Sequence, residues 1–168
     1  LPPLELAGAP TGLHAWDVLE GAELPHGHVV VADARCDWVG PGLAIRCARA
    51  GRRVTLAVNG YMPGQRIQQY VRDELLAELH RCAVAVIPTA RLFGADEDSV
   101  FLQHTTSGEP IIVEDVAALV VAHGPVSDDA LAPELRRAGV EAVLVGDALA
   151  PRTAEEAVVE ALEAAARL

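Results

Sequence analysis

The residues best placed to do chemistry are Gly146-Asp147 and, four positions on, Pro151-Arg152. A glycine lets another molecule approach the main chain, an aspartate accepts from a sugar or ribityl hydroxyl, and a helix start favours phosphate. The same spacing also makes an ordinary tight turn with a solvated aspartate, and the residues leave both readings open. Asp33 closes the apolar run His28 to Asp33, and Gly124 sits in His123-Gly124-Pro125. Each therefore stands where a strand end would present it to a ligand.

Other chemistries find little support. Cys36, Cys47 and Cys82 form no CxxC pair, and the six histidines show no metal-ligand spacing, so no metal site is expected. His26 and His28 read as an exposed pair at a strand entrance. No serine lies in a nucleophile elbow and no Ser/His/Asp set assembles, so no catalytic residue is assigned. Lysine is absent, which excludes lysine-based chemistry. Cys36 lies beside Arg35 but also near Asp33 and Asp37, so its thiol pKa could move either way. Trp38 reads as a cover over the sheet edge or a contact to another domain.

The elements that must position these residues follow from periodicity. Val29 to Asp33 and Arg53 to Val58 are apolar runs of the buried-strand type, separated by a helix from about Gly40 to Ala50 that Gly51 stops. Strand, helix and strand at this spacing make a right-handed βαβ unit with parallel strands. A helix from about Gln65 to Cys82 and a short strand at 83–88 come next. Arg91 to Phe93, Val100 to Thr105 and Pro110 to Val113 then read as a small antiparallel meander. Ala117 to Val121 returns to the parallel sheet, and Ser127 caps a helix running to Arg137. Ala142 to Val145 is expected as a last buried strand. Thr153 and Glu156 form a capping box on the final helix, whose Glu155, Glu156, Glu160 and Glu163 face water.

The fold class is thus α/β: a Rossmann-like FAD/NAD(P)-binding-type domain, a central parallel sheet with a small antiparallel meander inserted. Residues 1–27 read as a connector with a short helical candidate from Trp16 to Leu19, and 28–168 as the domain, with 142–168 its closing Gly-Asp strand and helix. In such sheets ligands bind beyond the carboxyl ends of the strands. A dinucleotide site would want Gly-x-Gly-x-x-Gly in the first turn. Here Asp33-Ala-Arg-Cys-Asp37-Trp-Val-Gly40 brings its glycines late and carries two carboxylates, so the shape is kept without a phosphate loop.

With 168 residues and 51% apolar composition, the chain can bury a sizeable core. A net charge of −11 argues against nucleic acid, and no stretch is long enough to span a membrane. An odd cysteine count suits a reducing cytoplasm. Leu1 is followed by Pro2-Pro3, so the chain reads as a piece of something longer or a processed product.

Val143-Leu-Val-Gly146-Asp147-Ala-Leu-Ala-Pro151-Arg152-Thr with its Ala/Glu helix resembles the C-terminal segment of the trimethylamine dehydrogenase and 2,4-dienoyl-CoA reductase group. Val29 to Asp33, Ala50-Gly51, Arg52-Arg53-Val-Thr-Leu and Ala118 to Pro125 fit the same group in the same order. The resemblance implies a longer enzyme that begins with an old-yellow-enzyme-like FMN barrel. A 4Fe-4S cluster and two nested Rossmann-like domains binding ADP, or FAD with NAD(P)H, would follow. This chain would be the second nested domain plus the closing strand and helix. Its partners would be the N-terminal barrel and the first nucleotide-binding domain, in a homo-oligomer. Gly146 and Asp147 would face ADP or FAD held elsewhere, with Pro151 and Arg152 leading into the last helix. No cofactor is expected on the isolated chain, which should be inactive alone. The glycine-poor first turn resembles the amine-dehydrogenase branch. The alternatives are the NAD(P)H-binding domain of a dienoyl-CoA or enoate reductase, and a free-standing interaction module without redox chemistry.

Overall fold

Val29, Val30 and Val31 have no solvent exposure on either side of their strand, the mark of a parallel sheet covered on both faces. The computed structural model describes residues 11–167. They fall into two compact units, one ending at His123 and one beginning at Gly124.

The first unit is built on β1 (Thr11–His14), β2 (His28–Asp33), β3 (Arg53–Val58), β4 (Ala85–Ile87) and β8 (Val116–Ala122). Their order is β1-β8-β2-β3-β4 and every pairing is parallel. The helices are α1 (Ala15–Glu20), α2 (Val39–Arg49) and α3 (Gln69–Arg81). Val29 and Val31 on one face pack with Ala15 and Val18 of α1, Leu43, Ala44 and Cys47 of α2, and Leu79 of α3. Val30 and Ala32 on the other face pack with a separate antiparallel sheet, β5 (Ala90–Ala95), β6 (Val100–His104) and β7 (Pro110–Val113). The period-2 alternation of β2 thus divides one strand between two cores. This is the expected α/β fold, parallel sheet and meander included.

Both α2 and α3 end in the same paired hydrogen bonds. Gly51 and Arg52 donate to the Ala48 and Cys47 carbonyls, and Ala83 and Val84 donate to those of His80 and Leu79. At α3 the left-handed position is held by Ala83, at φ 53°.

Several expectations need correction. Part of the stretch read as a connector is structural, since Thr11–His14 pairs with β8 and Ala15 and Val18 are buried. The helix expected from Gln65 begins at Gln69, and Ile67 is buried in the loop ahead of it. His28 is buried, unlike the exposed pair expected with His26. Arg53 has only donors to offer, so His28 Nδ1 accepts from it at 2.9 Å, leaving Nε2–H to donate to Thr55 Oγ1 at 2.8 Å. Burial, and then Arg53, hold the His28 pKa below the usual range.

The second unit contains α4 (Leu131–Arg137), a single 3-10 turn at Gly146–Ala148 and α5 (Ala154–Ala165). Ser127 does not begin α4, which starts at Leu131, with the Ala130 N–H donating to Asp128. The strand expected over Ala142 to Val145 is not formed, and Val143 is exposed. A strand needs a neighbouring edge to bond, and no described residue of this unit is in a sheet. Gly146 is its only buried residue among those described.

Candidate functional site

The carboxyl ends of β2, β3 and β8 bring Asp33, Asn59 and His123 to one edge of the first unit. His123, with Ala32, Asn59, Leu92 and Thr105, lines a cleft of about 400 Å³ on the meander side. Burial, with His14 adding to it, keeps the His123 pKa low, so the ring is neutral near pH 7.

Asp33 turns to the opposite face, toward α2. Its Oδ1 accepts the main-chain N–H groups of Arg35 at 3.0 Å and Cys36 at 2.8 Å. Asp37 Oδ1 accepts from the Val39 N–H at 3.1 Å, and Asp37 Oδ2 pairs with Arg35 Nε at 2.7 Å. The turn closes on its own carboxylates. Gly40 is required here by space, because a Cβ on it would stand 2.5 Å from Asp33 Cγ. Burial raises the Asp33 pKa from 3.8 to about 6, against the two N–H donors that lower it. The Cys36 thiol, left open by the sequence, is pushed up by burial and then by Asp33, and its Sγ accepts from the Gly60 N–H at 3.2 Å. It is no activated nucleophile. Trp38, just before α2, is exposed.

In the second unit, Gly146 and Asp147 open the 3-10 turn and Asp147 is exposed. Gly146 has φ +59°, and a Cβ on it would stand 3.1 Å from the Ala157 Cβ, which accounts for glycine at this contact. The residue that sequence reasoning missed is Glu160. It was expected to face water, yet Oε2 accepts the Gly146 N–H at 2.7 Å and Oε1 pairs with Arg152. A glutamate six residues into a helix gives no sequence signal of such a role. Thr153 and Glu156 form the expected capping box, in which the Thr153 N–H donates to Glu156 at 3.0 Å.

Asp147 can accept hydroxyl donors. The Gly146 N–H and the Arg152 guanidinium are already engaged, and Glu155 and Glu156 lie in the first turn of α5. The turn therefore offers an acceptor to hydroxyl donors and no free donor to a phosphate. Pro151 lies between the turn and α5, and Gly124 begins the second unit at φ +93°. No group of three or more His, Cys, Asp or Glu residues is placed to hold a metal among the described residues, and no described helix is long and apolar enough to cross a membrane.

The sequence matches no family model. It matches no curated protein either. Solved structures do resemble it. Histamine dehydrogenase from Rhizobium sp. 4-9 superposes with a TM-score of 0.82 over 99% of this chain, at 19% identity. 6-Hydroxypseudooxynicotine amine oxidase from Pseudomonas geniculata N1 gives 0.79 over 92%, at 23% identity. A 2-naphthoyl-CoA reductase gives 0.71 over 89%, at 21% identity. The matched regions are 27%, 24% and 22% of those chains, so this chain spans about a quarter of their length. At these identities the likeness is one of fold, and the chain has the Rossmann-like fold found in these three oxidoreductases.

Proposed function

We propose that this chain is the C-terminal module of a flavin- and iron–sulfur-dependent oxidoreductase that acts on a secondary or tertiary amine in the cytoplasm. Its role is structural, completing one wall of an ADP or FAD site. FMN, the 4Fe-4S cluster and the phosphate-binding loop for ADP or FAD belong to the rest of that enzyme. Its partners are the N-terminal barrel and the first nucleotide-binding domain, in a homo-oligomer.

The observation that carries this reading is the closed first turn. The N–H groups of Arg35, Cys36 and Val39, which a nicotinamide dinucleotide would need, are bonded to Asp33 and Asp37. Asp147 by contrast stands exposed on a pinned turn and supplies the hydroxyl acceptor of a site whose phosphate half lies elsewhere. Val143, Val158 and Leu162 are each more than half exposed, which supports a partner surface for the second unit. Two of the similar structures are amine-oxidising enzymes by name.

Calorimetric titration of the isolated chain with NADH, NADPH and ADP tests the reading. No heat of binding with either nicotinamide nucleotide is expected. Saturable binding of NADH or NADPH would instead make the chain the cofactor domain of a reductase.

A further inference from the structure

In a βαβ unit a bound phosphate lies at the N-terminus of the helix after the first strand, where free N–H groups and the helix dipole receive its charge. In this chain a carboxylate lies there. Asp33 is the last residue of β2, is 2% exposed, and holds the two N–H groups of the turn on Oδ1. Its Oδ2 is buried without a hydrogen-bond partner among the described residues. That oxygen lies 2.6 Å from where a Cβ on Gly40, the second residue of α2, would stand. A buried carboxylate oxygen without a partner is costly to keep, and nothing else among the described residues of the first unit makes use of it. α2 has 11 residues, enough for its N-terminal N–H groups to offset part of that cost.

We propose that Asp33 is a built-in anion seated in the phosphate position of this unit, and that it is the residue that bars pyrophosphate ligands from the first turn. The inference rests on, and deepens, the reading that this turn takes no nicotinamide cofactor. A dinucleotide phosphate approaching Gly40 would meet a fixed negative charge of its own sign. It would also find the Arg35 and Cys36 N–H groups committed, and the Val39 N–H held by Asp37. Gly40 makes room for the chain's own carboxylate, where a phosphate loop uses glycine to admit a ligand. With that carboxylate deleted, the vacated seat takes a small oxyanion. Formate is the closest probe, being the group that Asp33→Ala removes.

The test compares wild type and Asp33→Ala by thermal melts at pH about 8, where both chains have their other carboxylates ionised. Formate is set against chloride at matched ionic strength. Formate should raise the Tm of Asp33→Ala by several degrees and leave wild type unmoved, as expected when an anion binds only the folded variant. The Arg35 and Cys36 amide resonances of Asp33→Ala should shift with formate in the same titration. Equal Tm shifts in both chains, or none in Asp33→Ala, would overturn the assignment. Should Asp33→Ala be unfolded, the comparison moves to refolding. Recovery of helical circular dichroism in formate and not in chloride supports the assignment, and no recovery in formate overturns it. Nicotinamide binding to wild type would sink the functional reading above. A wild type that binds none, beside an Asp33→Ala indifferent to formate, sinks this inference alone.

Discussion

Glu160 Oε2 accepts the main-chain N–H of Gly146 at 2.7 Å across fourteen residues of chain. The same carboxylate holds Arg152 through Oε1, so one side chain ties the start and the end of the loop from Gly146 to Arg152 onto α5. Asp147 is fixed between these two points.

Glu160→Ala should free that loop. It leaves the Gly146 N–H and the Arg152 guanidinium without their acceptor, at about 1–3 kcal/mol for a lost partner to a partly buried donor. Hydrogen exchange at Gly146 should accelerate at least about tenfold, the equivalent of about 1.4 kcal/mol. Glu160→Gln keeps a neutral acceptor and should fall between. Unchanged exchange in Glu160→Ala would show that the bond does not hold the loop in solution.

Asp33 predicts a pH dependence of known sign. Its folded pKa of about 6 lies above the ordinary 3.8, so between these values the folded chain binds the proton more tightly than the unfolded chain. Its contribution to stability is therefore lost as pH rises from about 4 to about 6, and the full cost stands above that. The stability of Asp33→Asn relative to wild type should rise over the same window by at most about 3 kcal/mol. Denaturant melts at pH about 4, 5, 6 and 7 measure it, and a difference that is flat with pH contradicts the raised pKa.

Ala83 occupies the left-handed position that closes α3, at φ 53°, where a Cβ is strained. Ala83→Gly should stabilise the first unit by about 0.5–1 kcal/mol, the strain relieved less the extra freedom of the unfolded chain. Thermal denaturation reads this directly. A lower Tm would mean that the Ala83 methyl makes contacts worth more than its strain.

Much of the fold was legible because its strongest signals are local. The runs Val29 to Asp33, Arg53 to Val58 and Ala117 to Val121 are apolar on both faces and became β2, β3 and β8. The turn-separated runs from Arg91 to Val113 became the meander. The spacing of Thr153 and Glu156 named a cap that the structure contains. The two carboxylates read in the glycine-poor turn after Asp33 are the ones that accept its N–H groups.

What the sequence could not decide depended on neighbours distant in the chain. Ala142 to Val145 has the composition of a strand, and composition cannot supply the edge to which a strand must bond. Thr11–His14 lacks a strand's apolar run and is a strand because β8 offers it an edge. His28 is buried because Thr55 and Arg53 satisfy both ring nitrogens from the adjacent strand. Glu160 looks like any solvated glutamate until the turn at Gly146 folds against α5. By itself the sequence determined where chain direction and hydrophobic period repeat, since those are set by residues within a few positions of one another. Only the tertiary structure decided which polar groups are satisfied and which strands exist, because a hydrogen bond needs both partners in place.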